Sequence, residues 1–288
     1  MTIIAKADVI ATCGLSSTDL TSLGISDSDI LQHIYEAESE VQYLCNTCFL
    51  QNDSALLSAS EGSANSLTTT GAFTGKTYAG YFVYIYSGTG SGQWNQVSSH
   101  TNDVLTLTYN FTTVPNNTSK YYVVYAPYCL NLDDNFNPLF SRSIDGNGQR
   151  WYCLPRFPIL QINTLSIAGV SVTPSSLYQY KWTSKIQLSN TSESSFFYND
   201  YPQRIAINYF YGVYNVPMIV KRAMAVIASM RTLTQQMGGT WNTPANFSLP
   251  EMSGSIGQAS VNINATAERL KSDWEYLSVR LPKYDVVA

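Results

Sequence analysis

The chain has 288 residues, a formal net charge of -4 and only 12% charged side chains, with Tyr, Asn, Ser and Thr in their place. That is about half the usual share of charge, so the surface is polar rather than ionic, as suits a member of a large assembly; with no basic field to grip phosphate backbones, sequence-reading nucleic-acid binding is excluded. No apolar run reaches the length of a membrane span, and the first residues lack a signal-peptide pattern, so the expectation is a soluble protein made in a cytosol.

In chain order, a short helix is expected around Val9 and Ile10, with a turn at Thr12-Cys13-Gly14 and a second start at Ser16 or Ser17. Ser26 then offers a capping hydroxyl ahead of Asp27 and Asp29. Ile30, Ile34, Ala37, Val41, Leu44 and Cys48 follow at alternating steps of four and three, the period of an amphipathic helix, and Glu36, Glu38 and Glu40 off this stripe are expected to be solvated. From Ser58 to Tyr125 the pattern changes to short β-like runs split by Gly, Ser, Thr and Asn: Gly80–Tyr86, Gly92–Val97, Val104–Thr108 and Lys120–Tyr125. Strands at this spacing make a small barrel or sandwich inserted between helical parts.

Tyr128 to Ser143 reads as an Asn, Asp and Pro-rich connection. Beyond it Ile159–Asn163, Leu165–Ile167, Tyr178–Trp182, Lys185–Leu188 and Ile205–Tyr211 read as one antiparallel meander. Gly212 ends the last strand. Pro217 suits the first turn of a helix, since its missing N–H falls among donors that have no partner there, and Asn215 is available to cap. Ile219, Ala223, Val226, Met230, Leu233 and Met237 form its apolar stripe, closed by Gly238 and Gly239. After an open loop from Thr240 to Gly257, Asn264 is a candidate cap for a third helix with Ala267, Leu270, Trp274, Leu277 and Leu281 on one face, stopped by Pro282. The six residues after it are short, extended and β-prone.

Little here points to site chemistry. Gly88-Thr89-Gly90-Ser91-Gly92 lacks the Gly-Lys-Ser/Thr ending of a phosphate loop and precedes a strand, so it reads as a hairpin loop. Five cysteines, Cys13, Cys45, Cys48, Cys129 and Cys153, are odd in number and irregular in spacing, which suits reduced thiols. Cys45-Asn46-Thr47-Cys48 has the spacing of half a zinc site, but buried thiols at a helix end are the simpler reading, with His33 on the helix surface. Asp133, Asp134 and Asp145 read as turn chemistry. Trp94, Trp151, Trp182, Trp241, Tyr81, Tyr84 and Tyr86 could form a sugar-binding surface, although alternation within strands favours packing. No catalytic, cofactor-binding or metal-binding residue is assigned, and no enzyme activity is expected.

The segment Arg204 to Met224, R-I-A-I-N-Y-F-Y-G-V-Y-N-V-P-M-I-V-K-R-A-M, resembles the strand, Tyr-Gly turn, Val-Pro and long-helix passage of the head-tail connector (adaptor) proteins of tailed bacteriophages. The capped N-terminal helix and the Leu/Trp C-terminal helix fall where those proteins have their outer helices. Tyr78 to Val97 resembles a β module of phage structural proteins. The resemblance spans about half the chain, and Ser58 to Arg156 makes this chain longer than compact members.

With the periodicity, the resemblance implies an α+β fold: a bundle of three long helices packed with an antiparallel β region, plus an inserted small β-barrel or sandwich. The expected division is 1–57 (helical), 58–127 (inserted β domain), 128–212 (antiparallel β region) and 213–288 (C-terminal helices and tail). Ala223, Val226, Met230 and Leu233 are expected to pack against Ile34, Val41, Leu270 and Trp274. The implied function is a structural subunit of the virion neck, assembled in the host cytoplasm as a homo-oligomeric ring, a dodecamer by resemblance. Such a ring joins portal to tail and lines the DNA channel without reading the DNA. Its partners would be the portal protein, docked through Tyr284, Val286 and Val287, a tail or neck protein below, and tail fibres at the β insert. No cofactor and no membrane contact are expected. The alternative is a receptor- or glycan-binding virion module, with a tail-associated hydrolase third.

Overall fold

The structure, a computed structural model, describes residues 2–22, 24–125, 139–180, 184–189, 197, 205–236 and 257–284. The chain divides into two compact units: a helical unit of residues 2–45 and 216–283, and a β unit of residues 46–215 with residue 284. The expected Met237, Gly238 and Gly239 helix end, and Cys129, Asp133, Asp134, Trp182, Trp241, Val286 and Val287, lie outside the described residues.

The helical unit comprises α1 (Lys6–Cys13), α2 (Ser17–Ser22), α3 (Asp27–Cys45), α4 (Met218–Gln236) and α5 (Gly257–Ser278). A reciprocal capping box starts α3: the Ser26 hydroxyl accepts the Asp29 N–H at 3.2 Å, and the Asp29 carboxylate accepts the Ser26 N–H at 2.8 Å. Asn46, at φ 54°, follows its end. Before α4 it is the Pro217 carbonyl that accepts from Val220 and Lys221; Asn215 sits two residues earlier in a left-handed conformation and does not cap. The third helix begins at Gly257, seven residues before the expected cap.

The β unit runs, in chain order, through β1 (Phe49–Asn52), β2 (Leu57–Ser58), β3 (Glu61–Ser63), β4 (Ser66–Thr68), β5 (Phe82–Ser87), β6 (Trp94–His100), β7 (Val104–Leu107), β8 (Lys120–Tyr125), β9 (Leu139–Ile144), β10 (Trp151–Cys153), β11 (Ile159–Ile167), β12 (Val170–Val172), β13 (Leu177–Gln179), β14 (Lys185–Leu188), β15 (Ile205–Tyr211) and β16 (Val213–Tyr214). They form a nine-stranded sheet, ordered β16-β1-β8-β5-β6-β7-β4-β3 with β2 beside β8, a four-stranded sheet ordered β12-β11-β15-β9, and a three-stranded sheet ordered β10-β14-β13.

This corrects the expected fold class. The described structure is mostly β-sheet in three sheets, and it is not a bundle of three long helices. Two physical causes account for the difference. The long helices are present, but α3 and α5 pack on α4 rather than closing a three-way bundle. The strands from Ser58 to Tyr125 do not close into a separate barrel either, because β8 continues into β1, and β1 pairs in parallel with β16 from far down the chain. The single meander expected before α4 is likewise split between two sheets, with β9 emerging from the supposed connection to pair with β15.

The strand β15 shows how the sheets are joined. Its first half alternates between buried and open positions, whereas Tyr209, Phe210 and Tyr211 are all buried. Tyr209 and Tyr211 face a core shared with the three-stranded sheet, through Ile186, Leu188 and Phe197. Phe210 faces the other way, toward Leu50, Phe82, Trp94 and Val124 of the nine-stranded sheet, with its ring 5.4 Å from that of Phe82 in an edge arrangement. Both faces of β15 are covered at that end, so a period of two is lost there.

Candidate functional site

In the helical unit, α4 is the central element. Val220, Ala223, Met224, Val226, Ile227, Ala228, Ser229, Thr232 and Leu233 are all buried, which covers most of its circumference. The small and hydroxylated members make this possible: Ser229 donates to the Val9 carbonyl at 3.2 Å and Thr232 to the Ala228 carbonyl at 2.8 Å, so the second face buries no unmatched hydroxyl. Of the residues expected to pack the helices, Ala223, Val226, Leu233, Ile34, Val41 and Leu270 are buried, while Met230 and Trp274 are half-buried.

The flanking helices expose apolar side chains. Leu31, Tyr43 and Leu44 on α3 are open to solvent, as are Tyr276 on α5 and Val279 just beyond it, the last at 83%. Leu44 belonged to the expected inward stripe, and the structure turns it outward. Tyr276 carries the Arg280 guanidinium 3.7 Å from its ring centroid.

Polar links fix α3 on α4. Arg231 donates to Glu36 at 2.5 Å and to Glu40 at 2.8 Å, all three partly exposed. Burial alone would raise the Glu36 carboxyl, but hydrogen bonds from Gln32 and Arg231 outweigh it and hold the group below its usual value. His33, expected on the helix surface, is half-buried with Nδ1 3.1 Å from the Thr232 hydroxyl, and burial lowers its pKa. Glu38, expected to be solvated with its neighbours, is fully buried instead. Its Oε1 accepts the N–H groups of Ile3 and Ile4, and its Oε2 has no partner; burial pushes the carboxyl up to about 7.

Of the three residues expected to dock a partner, Tyr284 alone is described. Its carbonyl accepts the Asn46 side-chain amide at 3.1 Å, and its ring meets the edge of Phe157 at 6.0 Å. Asn46 is itself held by the Arg156 guanidinium through its Oδ1. Val286 and Val287 fall on residues the structure does not describe.

The glycine-rich stretch between β5 and β6 is a hairpin whose N–H groups are spent internally. Thr89 N–H reaches the Thr118 hydroxyl, Ser91 N–H the Gly88 carbonyl and Gly92 N–H the Ile85 carbonyl. Gln93 ties it to the loop at Thr112 and Thr113. Cys45 ends α3, while Cys48 lies in the β-unit core beside the Tyr211 hydroxyl; neither forms a disulfide, nor does Cys13 or Cys153. Among the described residues no group of His, Cys, Asp and Glu could hold a metal ion, and no helix is long and apolar enough to cross a membrane.

The aromatic residues divide into two kinds. Trp94, Tyr84 and Tyr122 stand side by side on β6, β5 and β8, and the Trp94 and Tyr84 rings stack at 4.6 Å with Tyr214 against both. A cavity of about 330 Å³ lies beside them, lined by Tyr84, Trp94, Pro158, Leu160, Tyr214 and Asn215 among others. Trp94 is nearly inaccessible and its backbone N–H and carbonyl both bond the Gln161 side chain, so this cluster is a packing seam. Trp151, Tyr178 and Tyr180 are instead exposed. Leu31, Tyr43, Tyr276 and Val279 escaped the sequence reading, because periodicity marks only the inward face, and the same periodicity placed Leu44 on the wrong side. No protein-family model and no curated protein sequence matches the chain.

Proposed function

We propose that the protein is a structural subunit of a bacteriophage head-tail connector, a ring in the virion neck that joins the portal vertex to the tail. The observation that carries this reading is the pair of apolar patches on α3 and on the end of α5. Tyr43 and Leu44 at the end of one flanking helix and Tyr276 and Val279 at the end of the other give two different apolar surfaces on one unit. Contact between unlike patches of successive copies is heterologous, and such contacts close into rings when the rotation per subunit divides a full turn. Large contiguous apolar exposure on a monomer is uncommon and marks interaction surfaces.

Two further features support the reading. The stretch resembling connector proteins is laid out as strand, turn and long helix, with β15, β16 and α4 in succession. The low charge of the chain suits a channel wall past which DNA moves without being gripped. Portal docking is assigned to Tyr284, Val286 and Val287, and tail or fibre contacts to the β unit.

Native mass spectrometry and negative-stain imaging of the purified chain test the proposal. The expected result is one closed ring, converted to monomer by Leu44→Glu or Val279→Glu, each at a solvent-facing position. A monomer at every concentration up to the solubility limit, or rings indifferent to both substitutions, would overturn it.

A further inference from the structure

The period of a strand sets Phe82, Tyr84 and Tyr86 on one face of β5. Their cover thins along the strand: Phe82 is buried under Phe210, Tyr84 is half-buried, and Tyr86 stands 53% exposed. Beyond Phe210 the chain leaves the four-stranded sheet at Gly212 and returns as β16, which pairs in parallel with β1. The cavity of about 330 Å³ lies where the cover gives out. Among its lining residues Trp94, Ile159 and Val213 are buried, Tyr84, Leu160 and Tyr214 half-buried and Asn215 exposed, so it is open at the Asn215 end. Every lining residue is a described one and belongs to the β unit. The aromatic wall is held in place by its own contacts, because Tyr84 stacks on Trp94 at 4.6 Å and Tyr214 leans on both.

We infer that this cavity is a binding site for a neutral two-ring aromatic group of the indole kind. Size sets the upper bound: a cavity of about 150 Å³ holds one benzene ring, and this one has about twice that volume. Charge sets the class. No carboxylate, ammonium, guanidinium or imidazole lines it, so an ionic ligand would lose its water with no counter-charge in return. A quaternary cation needs ring faces that converge on one point, and here the faces of Tyr84 and Trp94 are turned on each other. A sugar needs a partner for each of several hydroxyls. The lining side chains supply only the Asn215 carboxamide, the Trp94 indole N–H and two tyrosine hydroxyls, of which that of Tyr214 already donates to Asn52 Oδ1 at 2.7 Å. An apolar ring system with one polar edge matches this inventory: its face lies against Tyr84, Ile159 and Leu160, and its N–H meets the Asn215 carboxamide at the rim. A free indole and a tryptophan borne on a peptide share this chemistry. The inference is independent of the ring proposal, since it concerns only the β unit.

Calorimetric titration of the full chain with indole and with N-acetyltryptophanamide tests it, with choline and maltose as the cationic and sugar controls. Indole should bind with a Kd of about 1 mM or tighter, as suits so small a ligand, and neither control should bind. N-acetyltryptophanamide separates the two sources: affinity at least equal to that of indole assigns the site to a peptide-borne ring, and weaker binding assigns it to a free one. Leu160→Phe, which fills the cavity, and Tyr84→Ala, which removes a wall, should each weaken indole binding at least tenfold. Asn215→Gly should weaken it about threefold. The backbone of Asn215 sits at φ 63°, a conformation that glycine adopts without strain, so this variant carries the test if the other two fail to fold. Binding of neither indole compound overturns the inference, as does indole affinity unchanged in every variant that folds. Binding of choline or maltose in place of indole would equally overturn it and assign the cavity to a cation or a sugar.

Discussion

In the β unit the buried hydroxyl of Tyr209 accepts the Arg156 N–H at 3.1 Å and donates to the Arg156 carbonyl at 3.0 Å, whereas in the helical unit the equally buried carboxyl of Glu38 engages only one of its two oxygens. The same contrast recurs nearby. Tyr121 pairs with the Thr69 hydroxyl at 2.7 Å, and Asn95 takes both the carbonyl and the N–H of Tyr109. A hydroxyl or amide can give and receive, so one backbone segment satisfies it. A carboxylate only receives, and helices leave few spare N–H groups apart from those at their starts. Glu38 finds them in the segment before α1, at Ile3 and Ile4. The β unit has its own lapse in Gln51 Oε1, but that atom is neutral and cannot titrate. Among the described residues the buried carboxyl left with an unmatched oxygen lies in the helical unit, while burial also raises the Asp53 carboxyl of the β unit.

The largest expected effect tests the aromatic half of this contrast. Phe210 is completely buried, with the rings of Phe82 at 5.4 Å and Tyr109 at 5.8 Å. Truncating a buried Phe removes its transfer free energy and leaves a cavity, so Phe210→Ala should cost about 3 to 5 kcal/mol in urea denaturation, by an amount independent of pH between 5 and 8. A loss no larger than that of an ordinary surface change, about 0.5 kcal/mol, would show that the seam between the nine-stranded and four-stranded sheets is not held by this ring.

The next effect belongs to Glu38. Burial raises its carboxyl from 4.5 to about 7, with the Ile4 and Ile3 N–H groups opposing the shift. Between those two values the unfolded chain releases a proton that the folded chain keeps, so the stability this group confers is full below pH 4.5 and is lost as pH rises through about 7. The loss should be on the order of 1 to 3 kcal/mol. Glu38→Gln keeps an acceptor for Ile3 and Ile4 and removes the ionisation. Melting temperature measured from pH 4.5 to 8 should therefore fall more steeply in the parent than in the variant. Parallel curves would mean that Glu38 does not change its charge in this range.

Much of the helical unit could be read in advance because a stripe of period 3.6 is a local property. Ile30, Ile34 and Val41 announce α3, and Leu270 and Leu277 announce α5. What could not be read was the second buried face of α4, since Ser229 and Thr232 look like off-stripe surface until their hydroxyls find carbonyls. Glu38 was misread for the same reason: an acid beside Glu36 and Glu40 has no local mark of burial. In the β unit the strands were legible but their partners were not. β1 was hidden because Cys48 continues the α3 period, although Asn46 breaks the backbone two residues earlier. β9, in a segment resembling a linker, is defined by its pairing with β15. The cavity beside Trp94 depends on β16 meeting β1, and that pairing joins residues far apart in the chain. The alternation of Phe82, Tyr84 and Tyr86 was the available signal.

The smallest effect sharpens the account of the helical unit. Trp274 is expected from its stripe to be a core residue, and truncating a fully buried Trp costs about 3 to 5 kcal/mol. In the structure it is half-buried, and Leu270 and Leu277 on either side of it carry the seam of α5. A half-exposed ring forfeits only part of its transfer free energy on truncation and leaves a notch open to water rather than a closed cavity. Trp274→Ala should accordingly cost about 1 to 2 kcal/mol, and less than Leu270→Ala, which removes a fully buried side chain. The comparison is best made by urea denaturation of both variants at two protein concentrations. At low concentration the order should hold. A Trp274→Ala loss that exceeds that of Leu270→Ala only at high concentration would mean that a neighbouring copy covers the open edge of this ring, which would extend the α5 patch of Tyr276 and Val279 by one residue. The same excess at both concentrations would contradict the half-buried placement itself.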